Sequence, residues 1–219
     1  VSYIDMSNEK WGLAKFKAFL RVDDSDAYVF YSVNLSLRPD LFAYEIIRKI
    51  RKDAFIIFSG PAPTYFTHDF LKDKNTFVIR GESELTLAEL INSFQHGRDF
   101  KQIAGLSFLE NDTAIDNPMR PLVEDLDALP LPARHLLKRD LYYNPKLTKR
   151  PFTALQTSRN CSYRCLFCVP NSYNFARELE FRRHNQNKKP PVRKRSADNV
   201  IQEFRLLKEE GYRSVSIID

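Results

Sequence analysis

All three cysteines of the chain fall in one stretch, Thr157-Ser-Arg-Asn-Cys161-Ser-Tyr-Arg-Cys165-Leu-Phe-Cys168. Three thiols packed this closely cannot all pair, and no cysteine elsewhere offers a partner, so a disulfide framework has no support. Clustered thiolates instead select soft metals: iron–sulfur clusters, zinc or copper(I). The spacing is C-x3-C-x2-C. A closed zinc site takes four ligands, often as paired C-x2-C knuckles, and here three are supplied. A cubane cluster on three thiolates leaves one iron open to an external ligand, so it can bind a substrate and transfer electrons to it. Arg159, Asn160, Ser162, Tyr163 and Arg164 make the loop polar, which argues against three inert core cysteines.

The flanks of this loop constrain the fold. Phe152–Thr157 reads as a strand that feeds directly into it. Ser196 is a good N-cap, with Asp198 in the first turn where the helix dipole favours a negative charge. A helix follows with Val200, Ile201, Phe204, Leu206 and Leu207 as its apolar positions, and Gly211 closes it. Ser214–Ile218 is the next strand. Strand, cysteine loop, helix, strand is the first βαβ unit of a TIM-like α/β barrel, in which functional groups sit at strand C-termini.

Upstream, apolar runs alternate with helical periodicity. Val1–Asp5, Ala27–Val33, Phe55–Ser59, Thr76–Ile79 and Gly105–Leu109 read as strands, with Ala27–Val33 covered on both faces. Helical stretches are Lys10–Leu20, a segment from Pro39 to about Lys52, and Glu84–Phe94. This alternation predicts a partial doubly wound parallel sheet, Rossmann-like, with ligand-binding loops gathered on the edge at the strand C-termini. The loops Ser32–Ser36, Gly60–Thr64 and Gly81–Ser83 would converge there, either as a ligand surface or simply as turns.

The chain therefore divides into residues 1–110, the sheet; 111–150, a proline- and leucine-rich connector; and 151–219, the start of a barrel. Asn117-Pro118, Pro121, Pro130, Pro132 and Pro145 favour extended backbone in the connector, while its leucines are too many for a free linker. With 43% hydrophobic and 28% charged residues, the composition is that of a globular protein, and no run is apolar enough to span a membrane. Reduced, clustered thiols fit the cytoplasm. Much of the net charge of +6 is local, in the basic segment 177–195. Together with its upstream flank, over 170–195, it is expected to be the least ordered part of the chain. It reads as a solvated surface loop, a lid over an anionic substrate, or a nucleic-acid patch with Tyr173, Phe175 and Phe181 for stacking. His68, His96, His135 and His184 are isolated and carry no metal assignment.

The cysteine stretch resembles the cluster motif of the radical S-adenosylmethionine enzymes, with Phe167 as the aromatic residue before the last cysteine. The resemblance implies a [4Fe–4S] cluster on Cys161, Cys165 and Cys168, whose fourth iron takes the amino and carboxylate groups of S-adenosylmethionine. Reductive cleavage of the sulfonium then releases a 5′-deoxyadenosyl radical. Upstream, Ser59-Gly60-Pro61-Ala62-Pro63-Thr64, Arg80-Gly81-Glu82-Ser83-Glu84, Asp125-Leu-Asp127 with Leu129-Pro-Leu-Pro-Ala-Arg134, and Arg195-Ser196 make the whole chain similar to the cobalamin-binding branch of that superfamily. That branch includes anaerobic magnesium-protoporphyrin ester cyclases, hopanoid-modifying enzymes and C- or P-methyltransferases.

The resemblance implies cobalamin bound by Ser32, Asn34, Gly60, Pro61, Gly81 and Glu82, S-adenosylmethionine contacts from Phe167 and Asp219, and methylation or cyclisation of an unactivated substrate. It further implies a small-molecule or lipid- or tetrapyrrole-like substrate and an electron donor such as flavodoxin or ferredoxin. Two departures stand out. The family's usual glycine before the first cysteine is Asn160, and its usual proline after it is Ser162. The first strand and helix of the cobalamin domain are expected to precede Val1, and most of the barrel to follow Asp219, so the chain reads as a fragment not expected to turn over alone. The alternatives are a methylthiotransferase-like radical enzyme without cobalamin, and a zinc-containing nucleic-acid-binding protein, against which the missing fourth cysteine argues.

Overall fold

The structure, a computed structural model, describes residues 1–97, 99–147, 149–161, 163 and 172–219, with only the backbone described over 172–177. In chain order the elements of the first half are α1 (Leu13–Val22), β1 (Ala27–Tyr31), α2 (Leu37–Ile50), β2 (Phe55–Ser59), the short α3 (Pro61–Tyr65) and α4 (Thr67–Phe70), β3 (Thr76–Ile79), α5 (Glu84–His96), β4 (Leu106–Glu110) and β5 (Thr113–Asp116). The second half holds β6 (Phe152–Leu155), β7 (Ser158–Arg159), α6 (Ser172–His184), β8 (Arg193–Lys194), α7 (Ala197–Glu209) and β9 (Ser214–Ile217). Two units form. One, the sheet unit, is Lys17–Val123 with Tyr163–Pro190. The other, the βαβ unit, is Val1–Phe16, Glu124–Ser162 and Pro191–Asp219.

The sheet unit is built on five strands in the order β1-β2-β3-β4-β5. The first three are parallel, as the βα alternation predicts. β4 and β5 are antiparallel to their neighbours, so the sheet is mixed. For β5 the cause lies in Asn111 and Asp112, both at positive φ, which form a two-residue hairpin turn that returns the chain alongside β4. β5 thus lies inside the stretch expected to be connector. Among the described strands, the order rises without reversal. β1 stands at the edge, with Val29 and Tyr31 exposed, rather than covered on both faces. β2 and β3 carry the core. Ile57, Phe77, Ile79, Leu90, Ile103, Leu106 and Phe108 form one buried cluster, and the Phe55 and Phe94 rings stack on its flank at 3.8 Å. Each such side chain contributes about 1.5–3 kcal/mol by leaving water.

In the βαβ unit, β6 and β9 pair in parallel, from Phe152 opposite Ser214 to Leu155 opposite Ile217, with α7 as the crossover. α7 starts where the sequence places it: the Ser196 hydroxyl accepts from the Asn199 N–H at 3.1 Å. Gly211 follows the helix at φ +83°, a left-handed conformation suited to glycine. Val1–Asp5 is not a strand. It is irregular and largely exposed, and among the described residues it pairs with no strand; β6 pairs with β9 alone.

The segment expected to be least ordered contains α6 and β8. Its sequence lacks an apolar stripe, and the buried Glu180–Arg80 ion pair and the β7–β8 backbone pairing are among the contacts that fasten it.

Candidate functional site

The cysteine loop leaves the C-terminal end of β6 and is braced at its root. Thr157 and Ser158 are held by Asp219 at the end of the parallel neighbour. Asp219 Oδ1 accepts from the Thr157 N–H at 2.6 Å and the Ser158 N–H at 2.9 Å, while Oδ2 accepts from the Thr157 hydroxyl. Burial raises the Asp219 carboxyl, but these hydrogen bonds, led by that of Thr157, outweigh it and hold the group below the usual carboxylate range. On the other side, β7 pairs antiparallel with β8, Ser158 opposite Lys194 and Arg159 opposite Arg193. The Arg195 N–H donates to the Thr157 carbonyl at 2.9 Å.

Asn160 comes next. It is buried at 4% exposure with φ +72°, and its Oδ1 accepts from Arg193 Nη2 at 2.8 Å. The left-handed conformation explains why glycine suits this position and why asparagine can replace it. Cys161 then emerges exposed. Cys165, Cys168 and Phe167 lie outside the described residues.

Beneath the root sits Glu203, buried at 1% exposure on α7. Arg134 Nη1 meets its Oε1 at 2.6 Å, and Arg195 Nη1 meets its Oε2. Arg134 also donates to the Thr153 hydroxyl at 3.0 Å and the Ala154 carbonyl at 2.9 Å. Arg195 donates to the Gln156 carbonyl at 2.9 Å. Arg134 and Arg195 belong to two of the short motifs on which the family resemblance rested. One carboxylate joins both to the end of β6, just before the cysteine loop. Glu203 was not singled out from the sequence. Its signal was an acid spaced one turn before Leu207, inside the apolar face of the helix.

The strand-end loops of the sheet unit look different. Gly60 has φ +104°, and a Cβ there would stand 2.7 Å from the Ser32 carbonyl oxygen, so β1 and β2 end in direct backbone contact. The Gly60 carbonyl accepts from the Thr64 hydroxyl, which in turn accepts from the Gly81 N–H at 3.2 Å. Ser32, Gly60, Pro61 and Glu82 are buried, and Glu82 accepts from the Val123 N–H at 2.8 Å.

α6 lies over these loops. Glu180, 2% exposed, lies where a Cβ on Gly81 would meet its side chain at 3.5 Å, and it pairs with Arg80 Nη1 at 2.9 Å, while Arg183 donates to the Thr64 carbonyl at 2.9 Å. Of the six candidate cobalamin residues, only Asn34 is exposed and Gly81 half-buried. The other four shape the loops rather than present surface. Behind the first loop, Asp40 accepts from the Ser36 hydroxyl at 2.6 Å. Burial pushes its carboxyl above the usual range against the opposing hydrogen bonds of Ser32 and Ser36. No helix among the described residues is long and apolar enough to cross a membrane.

Comparison with known proteins bears on both regions. No family profile matches the chain. It is 32% identical over 178 residues to an uncharacterized methyltransferase, PH0819, of Pyrococcus horikoshii, covering 80% of this chain and 35% of that protein. It is 30% identical over 125 residues to the anaerobic magnesium-protoporphyrin IX monomethyl ester cyclase of a Synechocystis species, covering 56% of this chain and 24% of that one. The chain thus spans about a third or less of these curated relatives. Among solved structures, the radical S-adenosylmethionine methyltransferase TsrM of Kitasatospora setae, solved with cobalamin and a [4Fe–4S] cluster bound, superposes over all of this chain and 42% of its own, with a TM-score of 0.62 at 18% identity. In sequence the chain is similar to this methyltransferase and this cyclase, and in fold to the cobalamin-bound radical S-adenosylmethionine methyltransferase TsrM.

Proposed function

We propose that the chain contributes the cluster loop and the cobalamin-type sheet of a radical S-adenosylmethionine enzyme that methylates an unactivated substrate. The carrying observation is the three-thiol loop at the C-terminal end of a parallel strand, with its first cysteine exposed and its root braced from both sides. The donor set fits the group. Three thiolates in a polar loop suit an iron–sulfur cluster with one open iron. When bound, that cluster supplies the electron that cleaves S-adenosylmethionine to a 5′-deoxyadenosyl radical.

The chain's own residues do the holding. Cys161, Cys165 and Cys168 are the proposed ligands, and Phe167 lies beside them in sequence. Asp219 fixes the loop's root, a role its three hydrogen bonds support, and its proposed contact to S-adenosylmethionine would have to share that carboxylate. Cobalamin is proposed to lie on the sheet unit's strand-end edge. Asn34 and Gly81 offer surface there, while Ser32, Gly60, Pro61 and Glu82 keep the loops in shape. Methylation is favoured over cyclisation by the methyltransferase names of PH0819 and TsrM, while the Synechocystis cyclase keeps ring closure as the second reading.

The test is anaerobic reconstitution with iron and sulfide. The protein is expected to take up about four irons, and Cys161→Ala/Cys165→Ala/Cys168→Ala to take up none. Retention of the iron by the triple variant would sink the assignment. A visible spectrum after incubation with hydroxocobalamin addresses the second cofactor. A folded protein that takes up iron but no corrin favours the cobalamin-free, methylthiotransferase-like alternative.

A further inference from the structure

The residue that aims Cys161 lies neither in the cysteine motif nor next to it in sequence. Between the end of β7 and Cys161 there is a single residue, Asn160, and its φ of +72° sets the direction in which the loop departs. A side-chain-bearing residue enters this region at a cost, and asparagine tolerates it better than most. Here the conformation is fixed from outside. Asn160 is 4% exposed, and its Oδ1 accepts from Nη2 of Arg193, itself 7% exposed, at 2.8 Å. Arg193 cannot shift independently, because its backbone pairs in register with Arg159, the residue before Asn160. Backbone and side chain of one arginine therefore hold two consecutive residues leading to the first thiol.

We infer that Arg193 is a positioning residue for Cys161, acting through the Asn160 amide to hold the left-handed turn from which the cluster loop departs. The inference rests on the iron–sulfur reading and goes beyond it by assigning loop geometry to a residue some thirty positions away along the chain. Arg193 touches neither cluster nor substrate in this account. Its effect is on whether the first thiol stands where the other two can share a cluster with it.

Three variants test it: Arg193→Gln, Asn160→Val and Asn160→Asp. Valine loses the acceptor and resists positive φ, whereas aspartate keeps both the acceptor and the tolerance. Each is reconstituted anaerobically as the whole chain and read by iron content and by electron paramagnetic resonance of the reduced cluster, with and without S-adenosylmethionine. Wild type and Asn160→Asp are expected to hold about four irons and to show a spectral change on adding S-adenosylmethionine. Arg193→Gln and Asn160→Val are expected to hold less than about half that iron and to lose the change. If Arg193→Gln fails to fold, as circular dichroism would show, Asn160→Val decides in its stead, since Arg193 is intact there. Iron in the wild type and equally in folded Arg193→Gln and Asn160→Val, with the spectral change kept, overturns the inference alone. Wild type without iron overturns the cluster reading and the inference with it.

Discussion

Each unit carries its candidate function at the C-terminal ends of parallel strands, yet the two ends are finished in opposite ways. In the sheet unit, Ser32, Gly60, Pro61 and Glu82 are enclosed, and α6 lies on the loops through Glu180 and Arg183. In the βαβ unit, the braces sit under and beside the strand end while Cys161 is left exposed. Both use a nearly inaccessible glutamate. Glu180 meets one buried guanidinium, that of Arg80, with Arg183 and His184 at the rim. Glu203 meets two, the buried one of Arg134 and the half-buried one of Arg195. The same interaction closes one edge and supports an open loop at the other. What differs is where the partner arginines come from. Arg80 ends β3, so its pair draws a helix over the sheet edge. Arg134 precedes β6 and Arg195 precedes α7, so the two hold the end of β6 through the Ala154 and Gln156 carbonyls.

The comparison makes Glu203 the more costly to lose. Glu203→Ala leaves two poorly hydrated guanidiniums facing each other without a counter-charge, and removing one side of a buried pair costs about 3–5 kcal/mol. Equilibrium urea unfolding of the βαβ unit, followed near Tyr212, should show a loss at the upper end of that range. A loss under about 1 kcal/mol would mean that the arginines find water and that the triad is not a brace. Replacing all three by apolar residues of similar volume should recover much of the stability, because the desolvation cost of three charges disappears with them.

Glu180→Ala comes next, at about 3 kcal/mol or less, since Arg80 keeps its bond to the Asn117 carbonyl. Its more telling effect is on exchange. Amide protection over Gly60–Tyr65 should fall if α6 is what shields these loops, and unchanged protection there would break the contrast between the two edges. Gly60→Ala should cost about 2 kcal/mol, from positive φ and from a Cβ set against the Ser32 carbonyl. A neutral result would show that the β1 and β2 ends can part, and so that the sheet edge is less closed than its burial suggests.

The βαβ unit was the more legible of the two from sequence. Its helix carries a serine cap, an acid in the first turn and a glycine at the end, and its cysteines follow a strand, so local chemistry and topology agree. The sheet unit was legible in its parallel strands, whose apolar runs need no context. It was misread where a short polar signal decided the topology. Asn111-Asp112 between two apolar runs is a hairpin turn, but the prolines that follow drew the whole stretch into the connector. α6 was hidden for another reason. Its hold depends on one glutamate among many arginines meeting Arg80, some hundred positions earlier. Edge or centre is likewise a property of the sheet and not of the strand, which is why Ala27–Val33 read as covered. At the candidate site, the three cysteines read as a donor set from spacing alone, and Cys165 and Cys168 lie outside the described residues. Asp219 was legible as a strand-end acid, but its use as a clamp on Thr157 and Ser158 follows only from the pairing of β6 with β9.

The smallest expected effect concerns that clamp and pH. Burial alone would raise the Asp219 carboxyl, but the hydrogen bonds from Thr157 and Ser158 reverse the shift and leave its folded value depressed. A depressed carboxylate stabilises the folded state fully above its unfolded value of about 3.9 and loses that contribution only as pH falls through the lower folded value. From pH 5 to 8 the clamp should therefore be constant, and the protection of the Thr157 and Ser158 amides, corrected for intrinsic exchange, should be flat. Asp219→Asn should lower that protection by a few-fold at every pH in the range, because one carboxylate oxygen becomes an amide that no longer accepts from the Thr157 hydroxyl. The glutamate triad beneath is untouched by the change, so the fold should persist. A tenfold loss of wild-type protection between pH 8 and pH 5 would show that some other titrating group, and not Asp219, governs the root of the cysteine loop.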